Sequence, residues 1–161
     1  MADSFPMTSQ GLKRIKEELK QLQSVDRIKI SHEIEVARAH GDLRENAEYH
    51  AAKEKQSHIE GRIMDLNGVV ARAEIIDVSG LKGTDKVVFG ATVKLLDCET
   101  EKEATYRLVG EYETDIKKRW ISITSPVARG LVGKKVGDIA TIQSPGGARE
   151  FEIVGVDFED V

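Results

Sequence analysis

Hydrophobic positions in the first half of the chain follow the spacing of amphipathic helices. Neither residues 8–40 nor residues 47–76 contain a proline. In both runs apolar residues recur in alternating steps of three and four, as in a coiled-coil seam. The first seam consists of Leu12, Ile15, Leu19 and Leu22. The second consists of Tyr49, Ala52, Gln56, Ile59, Ile63, Leu66, Val70 and Ala73. Two long helices joined by a short polar link are predicted to fold back as an antiparallel hairpin.

The first seam changes phase partway along its helix. Continued at the same spacing it reaches the polar residues Asp26 and Lys29, and the apolar face restarts at Ile30, Ile34 and Ala37. This pattern predicts a phase shift within one helix rather than a break. The alternative of a compact helical bundle is less favoured, because no third amphipathic helix follows.

The start of the first helix has an incomplete capping signal. Thr8 is a suitable N-cap, but Gly11 stands where a capping box has glutamate.

The hydrophobic period changes near Asp77, and short alternating runs follow a turn-rich stretch at residues 79–84. Strands are predicted at residues 91–95, 106–108, 121–123 and 151–153. Residues 97–102 and 145–147 are predicted to close hairpins, and a short helix is expected from Pro126 to a stop at Gly133. The sequence therefore predicts an α+β chain of two domains. Residues 1–77 form the helical hairpin, and residues 78–161 form a small antiparallel sheet with one short helix.

Charge and composition narrow the class of protein. The formal net charge is -4, and neither half carries the positive excess of a stand-alone nucleic-acid binder. A single cysteine, Cys98, excludes an internal disulfide and a cysteine-based zinc site. Because neither a signal peptide nor a membrane-spanning stretch is apparent, we expect a soluble, cytoplasmic protein.

The link between the two helices carries two carboxylates, Asp42 and Glu45, three residues apart. Carboxylate oxygens are ligands that Mg²⁺ prefers, although two of them alone hold the ion weakly. The same spacing also fits a capping box at the start of the second helix. Both interpretations are open at this point. Basic side chains around the link form either a solvated face or a collar for a nucleic-acid backbone: Arg38, His40, Arg44, His50 and Lys53.

Residues 41–54, which read GDLRENAEYHAAKE, resemble the tip motif of the bacterial Gre family of transcript-cleavage factors. The resemblance continues through residues 60–63, 88–93, 125–134 and 145–147 and so extends over nearly the whole chain. It implies a coiled-coil finger that enters the secondary channel of RNA polymerase, with an FKBP-like C-terminal domain docked on the channel rim.

The resemblance also implies roles for particular residues. Asp42 and Glu45 would help to place a second Mg²⁺ and a water that cleave backtracked RNA inside the polymerase. That Mg²⁺ would be shared with the polymerase, with none bound by the isolated protein, so the factor would not be an enzyme by itself. Separately, from the basic side chains around the link, we expect contacts with the RNA 3′ end or the channel to involve Arg38, Arg44, Asn46, Tyr49 and Lys53. Docking on the polymerase would involve Ser125, Pro126, Arg129, Gly130 and Lys134, unless the glycine and proline in this set serve only turn geometry. The protein is expected to be a monomer with no membrane partner.

Two other functions compete with this one. A binding-only protein would occupy the channel without stimulating cleavage. A peptidyl-prolyl isomerase is suggested only by the FKBP-like resemblance, and an aromatic content of 5% offers little for a proline pocket.

Overall fold

The computed structural model describes residues 4–158. By its internal contacts the described chain divides into two units. Residues 12–73 form the helical unit, and residues 4–11 together with 74–158 form the second unit.

The helical unit is an antiparallel hairpin, as predicted. Its first arm comprises α1 (Ser9–Gln21), a π-helical segment (Leu22–Asp26) and α2 (Arg27–Arg38). Its second arm is α3 (Ala47–Arg72), which packs against α2. Cross-arm ion pairs join Arg27 to Glu60 and Arg62 to Glu18, each at 2.8 Å. Because these pairs are exposed, they contribute little to stability beside the buried seam.

The π-helical segment lies where the seam changes phase. Leu22 and Ile30 are eight residues apart, one more than the seven of a regular heptad. A π turn has hydrogen bonds between residues five apart instead of four, so it takes up the additional residue without breaking the helix. Ile30, Ile34 and Ala37 are consequently all buried.

The seam of α3 is buried largely as predicted. Ala52, Ile63 and Leu66 are buried, whereas Tyr49 and Ile59 are half-buried. One position differs, because Val69 is completely buried and the predicted Val70 is only half-buried. The last turn of the helix therefore follows a step of three after Leu66.

The second unit is built on a five-stranded sheet. Its strands are β3 (Thr92–Asp97), β4 (Glu103–Val109), β5 (Trp120–Ser122), β6 (Ile139–Ser144) and β7 (Gly147–Asp157). Their order across the sheet is β5-β4-β3-β7-β6. They follow a two-stranded sheet of β1 (Phe5–Met7) and β2 (Ala73–Ile75). Both predicted hairpins are present, β3 with β4 and β6 with β7. The sheet is antiparallel except for the β4–β5 pair, which is parallel.

A short helix, α4 (Pro126–Leu131), packs on β6. The core of this unit includes the fully buried side chains of Val87, Leu95, Leu108, Leu131 and Ile153. At the first hairpin turn, Asp97 accepts hydrogen bonds from the backbone N–H groups of Glu99 and Thr100 and pairs with Arg149. The hydrogen bond from the Glu99 N–H has the largest effect on the Asp97 carboxyl, and together these interactions lower its pKa.

Residues 4–11 belong to the second unit by their contacts, whereas residues 1–77 are together in the helical domain predicted from the sequence. Strand β1 pairs with β2, and Ile76 N donates to Met7 O at 2.9 Å. Thr8 caps α1 as predicted, because its Oγ1 accepts from Gly11 N at 3.0 Å. The carboxylate missing from the capping box is supplied from far along the chain by Glu113, which accepts from Thr8 N and Oγ1 and from Gly110 N.

Candidate functional site

The tip loop, residues 39–46, connects α2 to α3. Beyond Arg38 the chain makes one further turn, in which His40 N donates to Ala37 O and Gly41 N donates to Arg38 O. Gly41 then adopts a φ of 116°, a conformation that side chains rarely allow. The glycine therefore provides the chain reversal that ends the first arm.

Asn46 fastens the tip loop to both arms. Its Oδ1 accepts from Tyr49 N at 3.0 Å, which caps α3, and its Nδ2 donates to Ala37 O at 2.6 Å, at the end of α2. Since both polar atoms of this side chain have partners inside the protein, the amide holds the two helix ends together. Its predicted contact with RNA or the channel stays a prediction.

Asp42 and Glu45 lie exposed in the tip loop. Asp42 Oδ1 accepts from Arg44 N at 2.9 Å, a local Asx turn. The Glu45 side chain makes no hydrogen bond or ion pair with any of residues 4–158. Because α3 begins at Ala47 and is capped by Asn46, the interpretation of the carboxylates as a capping box for this helix is wrong. Glu45 in particular has no structural partner in the described chain.

The side chains of the predicted basic collar differ in whether they have a hydrogen-bond or ion-pair partner within the described chain. Arg38 and Arg44 are exposed, and within the described chain neither side chain forms an ion pair or a hydrogen bond. Lys53 Nζ donates to Gln56 Oε1 at 3.2 Å, along the same helix. The two arginines are therefore the cations of the loop most available to an outside anion.

The ring side chains near the loop support its structure. His50 Nε2 lies 3.1 Å from Arg44 O, and His40 Nε2 lies 3.7 Å from Glu48 Oε2. Tyr49 meets His50 edge to face, with 5.6 Å between ring centroids, and packs against the buried cluster of Ile30, Ile34 and Ala52. Tyr49 is thus a seam residue in this structure, and its predicted contact with RNA stays a prediction.

A metal ion would need ligands from outside the chain. Residues 4–158 contain no group of three or more histidine, cysteine, aspartate or glutamate side chains placed to hold one. The donors at the tip are two exposed carboxylates, which match the number that proteins commonly give to Mg²⁺ when phosphates and waters complete its octahedron. The donor set therefore fits a shared ion.

The predicted docking segment is a capped helix whose small residues have structural roles. Ser125 Oγ accepts from Ala128 N at 3.2 Å, and Pro126 occupies the first turn of α4. A side chain at Gly130 would crowd Thr141 O, at 3.2 Å from the added Cβ. Gly133 has a φ of 88° and ends the helix as predicted.

Charge in this segment comes from Arg129, which is exposed, and Lys134, which is half-buried. Docking by the segment stays a prediction, and Arg129 is its most accessible charged side chain.

One basic run outside the predicted site was missed. Lys117, Lys118 and Arg119 are all exposed, immediately before Trp120. Three consecutive cations are visible in the sequence, but the even distribution of charge over the two halves concealed them.

Among residues 4–158, no helix combines the length and the apolar character needed to cross a membrane.

The comparisons with known proteins agree with the tip sequence. A family model described as "Transcription elongation factor, N-terminal" matches residues 5–75. A second, described as "Transcription elongation factor, GreA/GreB, C-term", matches residues 82–158. Transcription elongation factor GreA of Rickettsia bellii (strain RML369-C) is 52% identical over 161 residues, which are 100% of this chain and 99% of that protein. The factor of the same name from Anaeromyxobacter sp. (strain K) is 59% identical over 153 residues, covering 95% and 92% of the two chains.

A solved structure described as a prokaryotic transcription elongation factor GreA/GreB from Nitrosomonas europaea is 22% identical and has a TM-score of 0.44. The match covers 96% of this chain and 100% of that one. Both of these curated relatives carry the name GreA. Because the two family models together match most of the chain, and full-length relatives are more than half identical to it, the chain belongs to the GreA/GreB family of transcription elongation factors.

Proposed function

We propose that this protein enters the secondary channel of RNA polymerase and stimulates the polymerase's own Mg²⁺-dependent cleavage of the 3′ end of backtracked RNA. Arrested complexes are thereby returned to elongation. The observation that carries the proposal is the state of Asp42 and Glu45. Both are exposed at the end of a helical hairpin, and neither takes part in capping the helix that follows. A glutamate without a partner among residues 4–158 is available for an ion or a water outside the chain.

The chemistry requires the polymerase to complete the site. Bound Mg²⁺ would activate an attacking water and stabilise the leaving oxygen of the RNA phosphodiester. Asp42 and Glu45 would offer it negatively charged oxygens, and Asn46 would keep the loop that carries them in a fixed position between the two arms. Two carboxylates are too few for a site of their own, so the protein acts as an accessory factor rather than as a nuclease.

Two cations, one at the end of α2 and one in the tip loop, would assist binding rather than chemistry. Arg38 and Arg44 have no anionic partner within the described chain. A guanidinium group pairs well with phosphate oxygens, so these two side chains suit contacts with the RNA 3′ segment. Lys53 and Tyr49, in the first two turns of α3, are the further side chains for which such contacts are proposed.

The second unit would anchor the protein on the rim of the channel. The helix after Ser125 and its exposed Arg129 are the part of this unit for which docking is proposed. The protein would act in the cytoplasm as a monomer, with RNA polymerase and the nascent RNA as its partners.

The decisive experiment adds the protein to a backtracked polymerase complex and follows RNA length. We expect 3′ shortening that requires Mg²⁺ and the polymerase. The double variant Asp42→Asn with Glu45→Gln should lose about 10²-fold in cleavage rate, since it removes charges that stabilise the transition state. Its free energy of unfolding should change by less than about 0.5 kcal/mol, because the new amide oxygen can still accept the bond from Arg44 N and Glu45 has no partner within the described chain.

The matched control removes two charges from the hairpin away from the tip. Glu17→Gln with Asp65→Asn changes one exposed carboxylate of α1 and one of α3 and should leave cleavage unaltered. Retained cleavage in the tip variant would refute the mechanism. Inhibition of elongation by the wild-type protein without any shortened RNA would identify a binding-only protein instead.

A further inference from the structure

A basic turn, residues 115–119, leads into the edge strand β5. Two backbone hydrogen bonds close it: Asp115 N donates to Trp120 O at 3.0 Å, and Trp120 N donates to Asp115 O at 2.9 Å. Asp115 Oδ1 also accepts from the backbone N–H groups of Lys117 and Lys118, at 3.0 and 3.3 Å. The acidic side chain nearest in sequence to these lysines thus serves the backbone of the turn.

The cations of the basic turn have aromatic rather than acidic neighbours. Lys117, Lys118 and Arg119 are exposed and form no ion pair with the rest of the described chain. Lys118 Nζ lies 4.8 Å from the centroid of the Trp120 ring, and Arg119 Cζ lies 5.9 Å from that of Tyr106. Cation–π contacts of this kind restrict a long side chain without neutralising its charge. The turn therefore presents three positive charges that remain available to an anion.

Arg119 occupies a position where arginine is conformationally unfavourable. Its φ is 58°, in the left-handed region that glycine and asparagine adopt most readily. Strain of this sort at an exposed cation is a reason to look for a function of the side chain.

The neighbouring Ile116 indicates which class of partner the turn suits. It is 94% exposed and adjoins the first lysine of the turn. A protein surface can offer an apolar pocket beside carboxylates, whereas a nucleic-acid backbone offers phosphates alone. The Trp120 and Tyr106 rings already have cations over them, including Arg107 Cζ at 4.8 Å from the Trp120 centroid, and base stacking needs an open ring face.

We infer that the basic turn is a docking element for an acidic protein surface on RNA polymerase, with Ile116 seated in an apolar pocket between carboxylates. This inference rests on the proposed function, and it adds a contact separate from the tip loop and from the helix after Ser125. Lys117 and Lys118 supply attraction, and Arg119 is suited to bidentate pairing with a carboxylate.

The test measures binding of the full-length protein to RNA polymerase at low and moderate salt. Lys117→Ala with Lys118→Ala should raise the half-saturating concentration about 5- to 10-fold and weaken its dependence on salt. The matched control is Lys86→Ala with Lys102→Ala, which removes the same charge from exposed positions of the same unit and should bind like the wild type.

Two further variants separate docking from folding. Arg119→Gly should raise Tm by about 2–4 °C by relieving the positive φ, yet should also raise the half-saturating concentration. Ile116→Ser should weaken binding without altering its salt dependence, because it removes an apolar contact and no charge.

The outcomes distinguish the docking role from the proposed function. If the wild type neither binds polymerase nor stimulates cleavage, both fail. If the wild type does both and the lysine variant matches its control, only the docking role is overturned. If the lysine variant instead loses binding to duplex DNA or single-stranded RNA in the absence of polymerase, the partner is a nucleic acid and the inference is wrong.

Discussion

A single amide side chain, that of Asn46, joins the two arms of the hairpin at their tip. One of its polar atoms caps α3, and the other reaches a carbonyl at the end of α2. The two exposed carboxylates lie in the loop that this residue closes, so the position of the proposed catalytic groups depends on it.

Asn46→Ala should lower the free energy of unfolding by about 2 kcal/mol, roughly half from the lost cap and half from the bond to Ala37. Asn46→Ser is the informative partner, because it keeps a capping oxygen and loses the amide donor without adding a charge. Its stability should lie between those of the wild type and the alanine variant. Urea denaturation measures the free energy of unfolding of both variants, and equal stability of the serine variant and the wild type would show that the bond to Ala37 contributes nothing.

The sequence could place the acidic pair but could not choose between its two interpretations. Asp42 and Asn46 are both good N-cap residues, and an acidic residue follows Asp42 at the spacing of a capping box. The choice is made by the reversal at Gly41 and by the need for Tyr49 to face the seam, and both depend on how the two arms pack.

At the level of the element, the π-helical segment reconciles two apolar seams that differ by one residue. Its position was predictable, because Asp26 and Lys29 fall where a regular seam would need apolar residues. The π-helical geometry was not predictable, since a phase shift in a seam can also be absorbed by a change in supercoiling.

Deletion of Ser24, an exposed residue of the π-helical segment, should therefore be tolerated. It restores seven residues between Leu22 and the next buried isoleucine, so the seam becomes regular and Tm should change by only a few degrees. Deletion of the exposed Ser57 in α3 is the control, because it rotates the following seam by about 100°. Circular dichroism should then show Tm lowered by about 10 °C or more. Similar losses for both deletions would show that the segment does more than adjust phase.

The strands of the second unit were predicted unevenly. Short alternating runs located β3, β4, β5 and part of β7, and turn residues located both hairpins. Strand β6 was missed, although its buried residues Ala140 and Ile142 alternate with exposed ones, because alanine gives a weak signal. The parallel pairing of β4 with β5 depends on the return of the chain through the basic turn, which no local pattern reveals.

At the scale of the whole molecule, residues 4–11, near the start of the chain, pack with the C-terminal sheet unit. The change of hydrophobic period near Asp77 suggested a simple division between a first and a second half. Pairing of β1 with β2 and the contacts of Glu113 assign residues 4–11 to the second unit instead. Pairings between segments so distant in sequence leave no local signature, apart from the glycine at position 11.

Two glycine-to-alanine substitutions should therefore have opposite effects. At Gly11 a methyl group would overlap the Glu113 carboxylate, whereas at Gly61 nothing lies within 4 Å of it. Gly61→Ala should stabilise the protein by about 1 kcal/mol through helix propensity. Gly11→Ala should destabilise it by about 1–3 kcal/mol, because the buried carboxylate must move away from its donors. Chemical denaturation of the two variants measures the contrast, and stabilisation by both would contradict the role of Glu113 as the distant half of the cap.

The distance of 105 residues between Thr8 and Glu113 has a consequence for how the protein is made. A ribosome releases the chain from its N-terminus, so the first helix emerges long before the carboxylate that completes its cap. Strand β2, the partner of β1, is made earlier, but until Glu113 appears the backbone N–H of Thr8 lacks the carboxylate that accepts from it. The start of the first helix therefore reaches its final state only late in synthesis, after most of the chain has left the ribosome, even though it is the first helix to appear.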